Sequence, residues 1–533
     1  MLENLTDNVS RRRFLEVGAA GSAALMLAAC GAGSVGRAGQ MATTQTHLPT
    51  GPRKRGGHIT VAPSDFPSVT TLYPDGSNGS FAVCTLMFDT LLWQDHDFKT
   101  IHPALAEEFE PDGKDFSSWI IKCRKGVEWH DGKPFTADDV IFSIKSMANP
   151  KNPGFIYGFL TGITAITKLD SHTVKIKLAS PNSQFRMGFV QDAAAIMPVG
   201  FNPNRPVGTG PYKFVSFTPA QQLVTTRNDN YWRGNGAPYL DGVTLVGFQD
   251  VDTARFNALV SGQIDAMDRL LPSQVPQVKS HPGLELLISQ TGSFAITEMR
   301  TGKGCQFEDN RVRTAFKLML NRQEFINEVY GGYGAIGNDI GSWSLFDPAV
   351  PDLPQRQQDI EQAKSLLKAA GKEGMDVLYR VAEYTPGNNE IGAIMIQQAK
   401  AVGVNMRINE ITNVAQMYGT ASYETGQFKL DQDYTQSLFM NSNYCWLPGS
   451  LYNNTNYNNP KLNSLFKQAV AHDGAKYNEL MGEVARVIYE DGPWLVWGRQ
   501  NLTDAYSNKF TGYVPDAVGA GMNNWNWWQI SLA

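Results

Sequence analysis

From about Thr291 onward the chain alternates helical and extended signals, and this rhythm limits the possible folds more than any other feature. Val312, Phe316 and Met319 share one face of a helical segment over residues 309–320. Asn321-Arg322-Gln323-Glu324 has the spacing of a capping box and opens a second helix that stops at Gly331-Gly332. A stripe of Ala363, Leu366, Leu367 and Ala370 ends at Gly371. Residues 391–402 form a further helix that stops at Gly403, and an extended run over 405–411 follows. Helix followed by strand, repeated, describes an α/β lobe.

The preceding half of the chain is richer in strands. His58-Ile59-Thr60-Val61-Ala62 is the first extended run. Residues 119–135 read as a strand, a turn, a short strand and another turn. Thr136 and Asp139 then have capping-box spacing, with Val140, Ile144 and Met147 at helical intervals and Pro150 as the stop. Val174, Ile176 and Leu178 alternate on one face. Residues 211–215 and 222–227 suggest a hairpin, 239–248 another strand, and 253–261 a helix stopping at Gly262. The terminal Asn524-Trp525-Asn526-Trp527 alternates like a strand and is expected to rejoin the earlier half.

The N-terminus sets the compartment. Ser10-Arg11-Arg12-Arg13-Phe14-Leu15 has the form of a twin-arginine export signal, with Arg11 and Arg12 as the pair. The apolar run over residues 17–29 is far short of the roughly 20 residues needed to span a bilayer. It ends in Leu27-Ala28-Ala29-Cys30, which looks like a lipobox whose cysteine carries lipid. Residues 30–55 have few large apolar side chains and read as a flexible tether. These signals imply a mature chain outside the cytoplasm, anchored through Cys30 to the outer face of the cytoplasmic membrane. Export as a folded protein is also a habit of cofactor enzymes, so an exported enzyme is one reading of the signal alone.

Composition narrows the function classes. Apolar residues make up 42% of the chain, enough for large cores. The net charge is −5 with no long run of one sign, so there is no basic stripe for nucleic acid. Cys84, Cys123, Cys305 and Cys445 lack zinc spacing and leave disulfide pairing open. The eight histidines form no metal-ligand motif, and no cofactor is called for. Gly208-Thr209-Gly210 lacks the third glycine of a dinucleotide fingerprint, and no nucleophile elbow is present.

Four segments carry a resemblance. Residues 124–140, Arg-Lys-Gly-Val-Glu-Trp-His-Asp-Gly-Lys-Pro-Phe-Thr-Ala-Asp-Asp-Val, are similar to the pattern R-K-G-V-x-F/W-H-D-G-x-P-F-T-A-D-D-V. Pro206-Val207-Gly208-Thr209-Gly210-Pro211-Tyr212 follows, with Asn228-Asp229-Asn230-Tyr231-Trp232 after it. Ala258-Leu259-Val260-Ser261-Gly262-Gln263-Ile264-Asp265 and Asp309-Asn310-Arg311-Val312-Arg313-Thr314-Ala315-Phe316 complete the set. In this order they resemble the large solute-binding proteins of ABC importers, family 5, the oligopeptide and dipeptide type. The motifs themselves read as scaffold. Gly126, Gly132 and Gly210 suit turns with unusual backbone angles, and Trp129 and Tyr212 suit a core.

The resemblance implies an α/β, two-lobed periplasmic-binding-protein-like fold with an extra domain on lobe one. Lobe one would comprise residues 56–77, 196–290 and 491–533, the extra domain 78–195, and lobe two 291–490. It implies a monomeric binder, not an enzyme, that closes on a peptide or other small solute and hands it to permease and ATPase subunits. Oligosaccharides and metal chelates are alternative ligands, and a sensing receptor is an alternative role. Asp433-Tyr434 resembles the A-D-Y motif whose Asp holds a peptide amino terminus, although the usual Gly-Trp before it and Pro after it are absent. Tyr444, Trp446, Trp343, Trp494 and Trp497 are candidate aromatic contacts. Ser64-Asp65-Phe66-Pro67, after the first strand, and Glu298-Met299-Arg300, after the lobe crossing, are placed at the cleft by analogy.

Overall fold

A computed structural model describes residues 51–67, 71–74, 81–151, 154–249, 252–382, 387–411, 427–450 and 452–533. The twin-arginine motif, the lipobox, Cys30 and most of the tether lie outside the described residues.

Two mixed sheets organise the chain. The first runs in the order Leu284–Gln290, Gly498–Ser507, Ala266–Met267, His58–Ala62, Gly242–Val246, Gln222–Arg227 and Tyr212–Thr218, and Gly334–Ile336 adds to Gly498–Ser507. The second runs Asn405–Glu410, Asp376–Val381, Phe428–Asp433, Phe294–Met299 and Trp494–Val496. A separate antiparallel sheet joins Ala106–Pro111, Ser118–Cys123, Thr173–Leu178 and Ile163–Asp170. The chain passes between the two mixed sheets at residues 291–293 and again at Trp497. Leu284–Gln290 and Gly498–Ser507 pair on one side of this crossing, and Phe294–Met299 and Trp494–Val496 pair on the other. The crossing is thus a two-stranded ribbon shared by both sheets.

Most local signals hold. Thr136 N donates to Asp139 Oδ2 at 2.8 Å and closes the capping box of the helix Ala137–Met147. The second box is only half formed. Asn321 caps the helix Arg322–Glu328, but its own N–H donates to Gln398 Oε1 at 3.0 Å, and Glu324 accepts from Gln398 Nε2 instead. The terminal Asn-Trp repeat is not a strand. Asn524 and Trp525 have φ of 53° and 52°, and a short 3₁₀ turn, Trp527–Gln529, follows. These tryptophans do rejoin the first sheet, where Trp525 and Trp527 stack at 5.4 Å in one core with Ile59, Val61 and Leu245. Cys84, Cys123, Cys305 and Cys445 form no disulfide.

The sequence motifs interlock. His130 N donates to Gly208 O at 2.9 Å, Gly208 N donates to His130 Nδ1 at 3.2 Å, and His130 Nε2 lies 3.0 Å from Gly210 O. Burial pushes this imidazole down to about 4, so it stays neutral and can accept at Nδ1. Thr209, Tyr231 and Trp232 all donate to the buried Asp89 carboxylate, at 2.9, 3.0 and 2.9 Å. Gly126 and Gly132 have positive φ, as turns require, but Gly210 does not. Gly208 and Gly210 are needed for close approach: a Cβ at Gly208 would stand 1.7 Å from Met87 O, and one at Gly210 2.5 Å from Met87 C. The motifs therefore clamp the end of the helix Phe81–Met87, whose other end reaches the cavity described next.

Candidate functional site

The strand Phe428–Asp433 carries charge at every second residue: Lys429, Asp431 and Asp433. A strand turns alternate side chains to one face, so these three share a side. The neighbouring strand Phe294–Met299 pairs Glu298 with Lys429 and Ile296 with Asp431. Trp494, on the next strand, lies opposite Glu298. One face of three adjacent strands thus carries three carboxylates, one ammonium and an indole. The other face is apolar, with Ala295 and Met299 in the core beneath.

This charged face forms the floor of a cavity of about 360 Å³. Phe81 and Cys84 close it from the helix Phe81–Met87, and Phe155 closes it from the segment beside the antiparallel sheet. The remaining wall comes from the helix Leu438–Asn441, which Ser437 caps and which widens into a π-helical turn over Ser442–Trp446. That widening brings Tyr444 and Cys445 to the cavity. Aromatic contacts knit the walls together. Phe81 meets Tyr434 edge-on at 5.3 Å, and Phe155 lies 4.8 Å from Tyr444 and 5.7 Å from Tyr452.

The electrostatics of the floor are lopsided. Lys429 Nζ bridges Glu298 at 3.1 Å and Asp431 at 3.0 Å. Asn454 Nδ2 adds a contact of 3.2 Å to each Glu298 oxygen. Among the described residues Asp433 has no such cation. Tyr434 N, at 2.9 Å, and Gln436 Nε2, at 2.6 Å, both donate to its Oδ1, and the residue lines the cavity. The side chain keeps some accessible surface because it borders a partly open cavity. Burial nevertheless pushes the Asp433 carboxyl up to about 8, and the nearby Asp431 and Glu298 add to the shift. Burial also raises Glu298, against the pull of Lys429. The Tyr444 hydroxyl and the Trp494 indole N–H are buried at this wall without a hydrogen-bond partner among the described residues.

Of the residues singled out from sequence, Asp433, Tyr434 and Tyr444 line the cavity. Trp446, Trp497, Met299, Trp343 and Asp65 do not. Trp446 is fully buried behind Trp494, 5.1 Å from its ring. Trp497 stacks on Phe325 at 4.6 Å in the core of the second sheet. Met299 is buried in that core because strand alternation turns it away from Glu298. Trp343 packs edge-on against Phe346 outside the cavity. Asp65 sits in a separate polar cluster, where burial and the neighbouring Asp268 push it up to about 8. Glu298, placed beside Met299 at the cleft by analogy, and Trp494, a candidate aromatic, also line the cavity, while Asp431 was missed. The alternation Lys429-x-Asp431-x-Asp433 could have revealed Asp431. Alternation could not have singled out Glu298, because its strand is buried on both faces.

Comparison with known proteins places the chain in a family and a fold. A family model described as bacterial extracellular solute-binding proteins, family 5 Middle, matches residues 100–462. The glutathione-binding protein GsiB of Pectobacterium atrosepticum is 25% identical over 483 residues, covering 84% of this chain and 90% of that protein. AgaA from A.tumefacien R10, solved in complex with agropinic acid, superposes with a TM-score of 0.79 at 23% identity, covering 90% of this chain and 99% of that one. DppA from Helicobacter pylori, solved in complex with the peptide STSA, gives 0.78 at 21% identity, covering 90% and 98%. The fold is the two-lobed α/β architecture of periplasmic binding proteins. On the family match, the chain belongs to the bacterial extracellular solute-binding proteins of family 5.

Proposed function

We propose that this protein is the substrate-binding component of an ABC importer, and that it captures between its lobes a compact solute bearing an ammonium group, a class that spans short peptides and simple amines. The observation that carries the reading is Asp433, which lines the cavity with both of its protein hydrogen bonds on Oδ1 and with no cation beside it among the described residues. A charge-assisted hydrogen bond there would be strong, because burial strengthens it. The volume of about 360 Å³ lies at the small end of ligand pockets, which favours a compact solute over an extended chain. GsiB and DppA, by their names and contents, bind glutathione and a peptide, which agrees with this class.

Residues 56–77, 196–290 and 491–533 form lobe one on this reading, 78–195 the extra domain and 291–490 lobe two. Ligand binds the closed arrangement better and shifts the population toward it by hinge motion at the shared ribbon. Lipid on Cys30 holds the monomer at the outer face of the membrane, beside its permease and ATPase subunits. Tryptophan fluorescence is the direct test, since Trp494 lines the cavity. Short peptides and simple amines should give saturable changes, and Asp433→Asn should weaken them by about tenfold or more. Unchanged affinity in that variant would sink the assignment.

A further inference from the structure

The charge on the cavity wall has one sign to spare. Glu298, Asp431 and Asp433 line the cavity, and Lys429, the cation beside them, is already bridged to the first two. Among the described residues that line the cavity there is no Lys, Arg or His. The undescribed stretches beyond residue 50 are 68–70, 75–80, 152–153, 250–251, 383–386, 412–426 and 451, and they contain none either. Arg269 lies over the Tyr434 ring at 5.8 Å, but its guanidinium is engaged by the Gly519 carbonyl at 3.1 Å and by Asp268 at 3.7 Å.

The rest of the lining suits a positive ligand. Phe81, Phe155, Tyr434, Tyr444, Tyr452 and Trp494 present rings, whose faces attract cations. The Tyr444 hydroxyl and the Trp494 N–H at this wall are neutral donors, matched by a carbonyl or hydroxyl as well as by an acid. A ligand carboxylate would meet three carboxyl groups here and no uncommitted cation, whereas a ligand ammonium would meet Asp433 and the rings. Building the reading of this cavity as the ligand site one step further, we infer that the solute is an organic cation whose other polar groups are uncharged. Amines, quaternary ammonium compounds and amide-capped peptides fit this lining better than free peptides and other zwitterions do.

Calorimetric titration of the unmodified protein with matched pairs decides this. The pairs are tyramine and tyrosine, phenethylamine and phenylalanine, and a dipeptide amide and its free dipeptide. The members of each pair differ at the carboxylate, so folding of a variant is not at issue. The carboxylate-free member should bind about tenfold or more tightly than its partner, and Asp433→Asn should remove most of that binding. If the zwitterions bind as well as their partners and still depend on Asp433, the inference falls and the cavity keeps its role. If Asp433→Asn changes no affinity, both fall. Failure of all three carboxylate-free cations to bind also overturns the inference.

Discussion

At Asp433 both protein hydrogen bonds fall on one oxygen, and the residue lines the cavity. An ordinary aspartate titrates near 3.9 in an unfolded chain, and this one titrates at about 8 when folded. Between those values the native state holds a proton that the unfolded state has lost, so stability contributed by this group falls as pH rises from about 4 to 8. Asp433→Asn should therefore raise the melting temperature of the ligand-free protein at pH 8, by about 1–2 °C, and leave it unchanged near pH 4. A cation in the cavity favours the ionised form. Binding of a quaternary ammonium, which does not titrate, should release protons at pH 7 and tighten up to about tenfold per pH unit until about pH 8. Calorimetry in buffers of different ionisation enthalpy reads that release, and pH-independent affinity would contradict it. Gly208 supplies a contrasting residue-scale test. Its Cβ would lie 1.7 Å from Met87 O, so Gly208→Ala should lower the melting temperature by at least about 2–4 °C. Asp433 was legible because Asp-Tyr stands out in a charged strand. Glu298 was legible only by its place after the lobe crossing, because a strand buried on both faces gives no alternation to read.

Among the elements, capping boxes and hairpins were legible, because a few neighbouring side chains decide them. The terminal Asn-Trp repeat misled because its period of two was carried by residues held at positive φ, which composition does not reveal. The crossing ribbon was not legible in detail, because its main fastening comes from loops far away in the chain. The buried Arg499 guanidinium donates to the carbonyls of Gly292, at 3.2 Å, Ser342, at 3.0 Å, and also Ile340 and Gly341. One side chain thus ties the first crossing to the loop over residues 340–342. Removing it leaves several buried carbonyls unpaired, each worth about 1–3 kcal/mol. Arg499→Met should reduce the melting temperature by more than about 3 °C, with Arg499→Lys intermediate, and a loss equal to that of a surface arginine would refute this fastening.

On the scale of the whole molecule, the segment expected to ride on lobe one also packs against residues of the stretch proposed as lobe two. Phe159 lies 5.5 Å from Phe439 and 5.0 Å from Tyr444, and Phe155 stands beside Tyr444 and Tyr452. No local pattern forecasts such a seam, because its partners are some 280 residues apart in sequence. Phe159 does not line the cavity, so its effect on ligand must come through closure. Phe159→Ala should weaken binding by about five- to tenfold, mainly by speeding release, without changing which solutes bind. The seam also has a thermal consequence. If its rings part when the lobes open, each binding event buries their apolar surface along with the ligand's own. The heat capacity of binding should then be more negative than a compact cation can account for, and Phe159→Ala should return it toward the value set by the ligand alone.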